Sequence, residues 1–252
     1  MVDAAFDLSG RRVLVTGASA GIGAAVAVRL ANAGASVVAV SRSGGVPDGA
    51  GSIVPLVADL SVSEDVDRVV PESVDLLGGI DIVVNNAGRG DWAPLEDLDR
   101  AYFDGLIGLN LWAPLRLCQF AHPHLREASD PAVVMIGSVD AVRPSAGGAV
   151  YGATKAGLAA ATVALAKEWM SEGIRVTQVD PGLVDTPLAA GVVEELRRAG
   201  EKVNIVGRAG TGDEIAALVH YLVAPAGRFA TGASFRVDGG ALALGPFDMR
   251  SS

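Results

Sequence analysis

The sequence predicts an α/β protein of one domain, a three-layer, doubly wound sheet of about seven parallel strands. Three observations lead there. Apolar, β-branched runs recur along the chain, and stretches of helical composition or periodicity separate most of them. Most of the runs are apolar throughout rather than alternating, which marks strands covered on both faces. The chain is 252 residues long with half of its residues hydrophobic, enough to bury one large core.

The elements follow in order. Arg12–Thr16 (RVLVT) is the first strand and ends in a glycine turn. Ile22–Ala33 is an alanine-rich helix closed by Gly34. Ser36–Val40 and Ile53–Val57 are the next two strands. Val66, Val69, Val70, Val74 and Leu77 give Val62–Leu77 one apolar helical face. Asp81–Val84 is the fourth strand, and 97–125 reads as a long helical region with a break near Gly105–Gly108. Ala132–Ile136, Arg175–Val179 and Ser234–Val237 complete the strands. Ala149–Met170 is a long helix, Leu188–Ala199 a short segment, and Asp213–Val223 a helix with Thr211 as its N-cap.

Composition excludes several functions. The net charge of −9 disfavours nucleic acid and anionic membrane surfaces. Cys118 is the one cysteine, so neither a disulfide nor a cysteine metal cluster is available, and it reads as a small buried hydrophobe. No metal site is expected. The N-terminus lacks a signal pattern, and the longest apolar stretch, around Ala156–Ala166, falls short of a membrane span. A cytoplasmic protein is the expectation. Glycine is abundant, 32 of 252, about 13% against a usual ~7%.

Ligands of such sheets sit at the carboxyl ends of the strands. After the first strand, Gly17, Gly21 and Gly23 in TGASAGIG let a diphosphate approach the amides that open the next helix. The spacing G-x-x-x-G-x-G is not the common one, and alone it is a weak signal. After the second strand stand Ser41 and Arg42, with no acid to hold a free ribose 2′-hydroxyl. Arg42 suits a 2′-phosphate; a solvated surface arginine is an equally common reading in isolation. Asp59 either meets an adenine amino group or caps the following helix. Asn85–Gly88 is either a nucleotide contact or a polar turn. Tyr151 and Lys155 share a helix face, and Ser138 ends the fifth strand. An ammonium within ~4–6 Å lowers a phenol's pKa by about 1–3 units, making a proton donor and acceptor. Tyr-x-x-x-Lys alone is common; with Ser138 and the glycine turn it is not.

TGASAGIG (Thr16–Gly23), NNAG (Asn85–Gly88), Asn110 in NLWAP, Ser138 in IGS, YGATK (Tyr151–Lys155) and DPG (Asp180–Gly182) together resemble a short-chain dehydrogenase/reductase over essentially the whole chain. The resemblance implies a seven-stranded Rossmann-type sheet and reversible hydride transfer between nicotinamide and a carbonyl or alcohol carbon. It implies that Tyr151 is the acid in reduction and the base in oxidation, that Lys155 lowers its pKa and holds the ribose, that Ser138 orients the substrate oxygen, and that Asn110 positions a relay water. It places cofactor contacts at Gly17, Ser19, Ala20, Gly21, Ile22 and Gly23, at Ser41 and Arg42, at Asp59 and Leu60, and at Asn86, Ala87 and Gly88. Pro181, Gly182, Val184 and Thr186 would join Tyr151 and Lys155 at the nicotinamide end.

The substrate pocket is expected from Trp92, Ser138, Val139, Asp140, Val142, Leu183 and Leu188, beneath a lid over about 186–207. Asp140 binds a polar or cationic group or faces water. Asp180 draws no functional reading from the sequence. Arg42 favours NADP(H), while Ala20, where many NADP users are basic, keeps NAD(H) open. The expected activity is NADPH-dependent ketone reduction. The alternatives are an NAD-dependent alcohol dehydrogenase and, since fold does not fix function, a non-catalytic cofactor-binding regulator. The resemblance implies a homotetramer, or a homodimer, packed through the helices bearing Asn110 and Tyr151.

Overall fold

The computed structural model describes residues 3–46, 52–200 and 202–244. Seven strands form one sheet: β1 (Arg12–Thr16), β2 (Ser36–Ser41), β3 (Ile53–Val57), β4 (Ile82–Asn85), β5 (Ala132–Ile136), β6 (Arg175–Pro181) and β7 (Ser234–Val237). Their order is β3-β2-β1-β4-β5-β6-β7, and every pair is parallel. The chain order reverses between β1 and β4, so the crevice beyond their carboxyl ends is the place for a ligand.

Neighbouring strand residues serve opposite faces, and both faces are apolar. Val13, Val15 and Val84 pack against α1 (Gly21–Asn32) and α7 (Gly212–Val223) through Val26, Leu30, Val219 and Leu222. Leu14, Val38 and Val176 pack against α2 (Ser63–Leu77), α4 (Ala113–Glu127) and α5 (Ala149–Glu168) through Val69, Leu117 and Leu158. β7 departs from the expected double coverage, because it closes the sheet as an edge with Ser234 and Arg236 exposed.

The long helical region divides. A 3-10 turn at Leu95–Asp97 precedes α3 (Arg100–Ile107), and a π-helical turn at Gly108–Trp112 leads into α4. Gly105 and Gly108, weak helix formers, mark the change of pitch. α5 stops at Glu168, earlier than its composition suggests, and Gly173 with φ +72° turns the chain into β6. α6 (Ala190–Ala199) follows β6, and Thr211 caps α7 through a reciprocal pair with Glu214.

By length and mean hydropathy α5 would suffice to cross a membrane, contrary to the expectation from its apolar stretch. Here it lies on the sheet with Leu158 and Thr162 buried, and it carries Tyr151 and Lys155.

Candidate active site

The glycine turn after β1 is close-packed. Gly17 has φ +65°, and a Cβ on it would lie 2.8 Å from Asn86 Nδ2. A Cβ on Gly23 would overlap the Gly17 carbonyl oxygen. Ala20 is the N-cap of α1 and no side chain caps the helix, so its first-turn amides are left for a ligand. Asn86 and Thr16 tie this turn to the end of β4. Asn86 Nδ2 donates to the Thr16 and Gly17 carbonyls at 2.9 and 3.1 Å. The Thr16 hydroxyl accepts from the amides of Asn86 and Ala87, both at 3.0 Å.

Beside the turn lies a cavity of about 540 Å³ at the carboxyl ends of β4, β5 and β6. It brings together Ser138, Tyr151 and Lys155 with Ile22, Asn86 and Gly88. Pro181, Gly182, Val184 and Thr186 line it beyond β6, and Trp92, Val139, Asp140, Leu183 and Leu188 complete its wall. Gly17, Ser19, Ala20, Gly21 and Gly23 form the turn outside this cavity.

Residues at the ends of β2 and β3 are placed differently. Arg42 is exposed, and its charge helps to hold the Asp59 carboxyl low, after the hydrogen bonds from Ser61 that chiefly do so. Asp59 Oδ1 accepts from the Ser61 amide and hydroxyl at 3.0 and 2.7 Å, a turn ahead of α2; the helix itself has Val62 as N-cap and no capping side chain, so the expected cap is not formed. Ser41 is buried, its hydroxyl accepting from the Gly44 amide, and Leu60 turns its side chain into the core. Neither side chain is presented to a nucleotide, because each is committed to its own turn or to packing.

Tyr151 stacks obliquely on Trp92, ring centroids 5.5 Å apart, and shares the cavity wall with Ser138. The expected acidification is not the balance found. Burial pushes the phenol above its ordinary value, the Ser138 bond pulls it down, and the Asp140 charge raises it. The Lys155 ammonium is aimed elsewhere: Nζ donates to the Ile136 carbonyl at 2.8 Å and lies 5.8 Å from the Tyr151 ring centroid. Burial lowers Lys155 to about 8, against the opposing charge of Asp180.

Asn110 is buried in the π turn, outside the cavity wall. Its Nδ2 donates to the Arg89 carbonyl at 2.9 Å, and its Oδ1 accepts from the Arg89 amide at 3.0 Å. Asp140 is half-buried. Burial raises its carboxyl, while the Ser145 backbone and the Arg143 charge lower it. Two charged lining residues escaped the sequence reading, Arg89 and Arg143. Arg89 pairs with Asp91 at 2.8 Å, and Arg143 donates to the Ala241 carbonyl at 2.8 Å. Arg89 follows NNAG directly, which was the available signal; Arg143 carries none.

A family profile described as enoyl-(acyl carrier protein) reductase matches residues 17–241. The chain belongs to the short-chain dehydrogenase/reductase family. Members are oxidoreductases acting on CH–OH and C=O groups, and this chain is one of them. It is 33% identical to 3beta-hydroxysteroid dehydrogenase 1 of Eggerthella lenta, over 93% of this chain and 94% of that protein. It is 30% identical to the 3-oxoacyl-(acyl-carrier-protein) reductase of Thermotoga maritima, over 92% and 98%. Among solved structures, a short-chain dehydrogenase from Burkholderia cenocepacia in complex with NADP aligns with TM-score 0.85 and 35% identity, covering 93% of this chain and 99% of that one. The family's doubly wound sheet of seven parallel strands is the fold found here.

Proposed function

We propose that this dehydrogenase/reductase is an NADPH-dependent reductase of ketones or aldehydes carried by partly hydrophobic, small to medium organic molecules. The observation that carries the reading is the convergence of the Tyr151 phenol and the Ser138 hydroxyl on one largely apolar cavity, with the Lys155 ammonium behind them.

The residues fit a nicotinamide dinucleotide. The Gly17–Gly23 turn admits a diphosphate where a Cβ would not fit, and the α1 amides face it. When bound, the nicotinamide supplies or takes the hydride. In reduction, Ser138 holds the substrate carbonyl oxygen by its hydroxyl, and Tyr151 gives its phenolic proton to that oxygen as the carbon receives the hydride. The product is the alcohol, and the phenolate regains a proton from solvent. The Lys155 ammonium favours the phenolate left behind and binds the ribose. Asn110 holds the Arg89 backbone and positions water on the proton path. Ser41 and Leu60 contribute main chain only.

Arg42 supports NADP(H), since it is exposed after β2 with no acid beside it in the chain. NAD(H) stays the alternative, in an alcohol-oxidising direction, because Asp59 is close enough to share Arg42's charge. A solved relative, the 3-ketoacyl-(acyl-carrier-protein) reductase of Brucella melitensis, is complexed with NADH. Segment 186–207, which brings Leu188 to the cavity wall, serves as the lid over Leu183; Glu201 within it lies outside the described residues. We assign assembly as a homotetramer or homodimer through the helices around Phe103, Trp112 and Val163, which are exposed apolar residues. The cytoplasm, where nicotinamide cofactors are held, is the place of action.

A carbonyl-substrate screen following NADPH absorbance tests the reading, with Tyr151→Phe as the control. We expect turnover by the wild type and a loss of about 100-fold or more in the variant. Turnover that survives Tyr151→Phe, or its absence across ketones and aldehydes with either cofactor, rejects it.

A further inference from the structure

Asp180 is placed as few surface-oriented acids are. It is the penultimate residue of β6, and only 8% of it is exposed. Strand alternation sends Val176, Gln178 and Asp180 to the sheet face on which α5 lies. Gln178 is fully buried, and its Nε2 donates to Asp180 Oδ1 at 2.6 Å. The register pairs Ile136 with Val179, and the Gly137 amide donates to the Val179 carbonyl at 2.7 Å. The carboxylate therefore comes to rest beneath Gly137. A Cβ on Gly137 would overlap Asp180 Oδ1, so a bare backbone is what lets the acid in. On either side of Gly137 stand the two groups the proposed chemistry needs held. Ile136 receives the Lys155 ammonium through its carbonyl, and Ser138 lines the cavity on the other side.

We infer that Asp180 is a positioning residue of this active site: its carboxylate, buried beneath Gly137, is the counter-charge that keeps the Lys155 ammonium protonated and in place. This inference takes its catalytic meaning from the reductase reading above. It goes beyond that reading in giving Lys155 a partner within the chain.

The groups facing Lys155 limit the alternatives. α5 presents Tyr151 to the same cavity and the end of β5 presents Ser138 and Asp140; the uncharged Asn110 of the π turn meets Lys155 across Gly88, while Arg89 of the loop after β4 is paired with Asp91. Of the two acids at this end of the cavity, Asp140 and Asp180, it is Asp180 whose charge raises Lys155 against the burial that lowers it, and Lys155 in turn lowers Asp180, whose carboxyl burial has pushed up. A buried ammonium with no such partner would shed its proton, since desolvation disfavours the charged form.

The chain has three lysines, Lys155, Lys167 and Lys202, which makes a direct test available. Protein labelled with carbon-13 at the lysine ε carbon is titrated by NMR, and Lys155 is assigned by its loss in Lys155→Arg. In Asp180→Asn the Lys155 midpoint should fall by about one pH unit or more, while Lys167 and Lys202, both exposed, stay where they were. In Asp180→Glu, which keeps the charge, it should return toward the wild-type value. The wild-type Lys155 resonance should also show a smaller step on the acid side as Asp180 protonates. An unmoved midpoint in Asp180→Asn overturns the inference. Should that variant not fold, absence of the acid-side step in the wild type overturns it instead. The titration needs neither substrate nor cofactor, so a failed carbonyl screen leaves it standing. Conversely, an active reductase with an unmoved Lys155 sinks this inference alone.

Discussion

The Asn110 side chain grips both backbone groups of Arg89, donating to its carbonyl at 2.9 Å and accepting from its amide at 3.0 Å. A buried amide in a π-helical turn thus holds the loop that follows β4 against the cavity. Asn110→Ala leaves that carbonyl and amide without partners, at a cost of about 1–3 kcal/mol. The variant should melt at lower temperature than the wild type and bind cofactor more weakly, by calorimetry and NADPH fluorescence. A wild-type melting temperature would show that the clamp contributes nothing.

On the proposed reading, Arg42 selects the cofactor. A charged hydrogen bond to a 2′-phosphate is worth about 1.5–3 kcal/mol, or roughly 10- to 150-fold. Arg42→Ala should lower kcat/KM for NADPH by that factor and leave the value for NADH nearly unchanged. Equal loss with both cofactors, or loss with neither, would remove the argument for NADP(H).

The Gly17–Gly23 contact leaves no room for a side chain. Gly23→Ala should cost about 1–3 kcal/mol through overpacking, and it should abolish NADPH binding by pushing the turn off Asn86. Stopped binding in a variant that still unfolds cooperatively is the expected pattern. Full binding would place the diphosphate elsewhere.

At the opposite end of the strands, Arg12 meets Asp81 with Nη2 on Oδ1 at 2.6 Å and Nε on Oδ2 at 2.9 Å, and the Arg12 amide adds 2.7 Å. Burial alone would raise the Asp81 carboxyl, but these bonds outweigh it and hold it below the usual carboxylate value. A carboxyl lowered by folding contributes stability that is present above its unfolded value and lost as pH falls through the folded one. Asp81→Asn should therefore cost about 1–3 kcal/mol at neutral pH, and the gap should close below pH ~4. Denaturant melts across that range check the sign; a gap that widens with acid contradicts it.

Local composition and spacing determined much of this protein. The seven strands, the parallel winding and the chain positions of Ser138, Tyr151 and Lys155 at one sheet edge were legible, because strands buried on both faces read as apolar runs and α/β ligands gather at strand ends. The π turn at Gly108–Trp112, the inward turn of Ser41 and Leu60, and the lining by Arg89 and Arg143 were not legible. Apart from the local turn at Ser41, each depends on residues far apart in the chain. The same holds for the proton chemistry. Four-residue spacing puts Tyr151 and Lys155 on one helix face, but the values at which they titrate are set by burial and by groups on other strands. The Ile136 carbonyl takes the ammonium, Ser138 and Asp140 act on the phenol, and the Asp180 charge bears on Lys155 only because β5 and β6 lie side by side, with Gly137 leaving room for the carboxylate. Sequence sets which groups can ionise, while the packed neighbourhood, through desolvation and distance, sets whether they do.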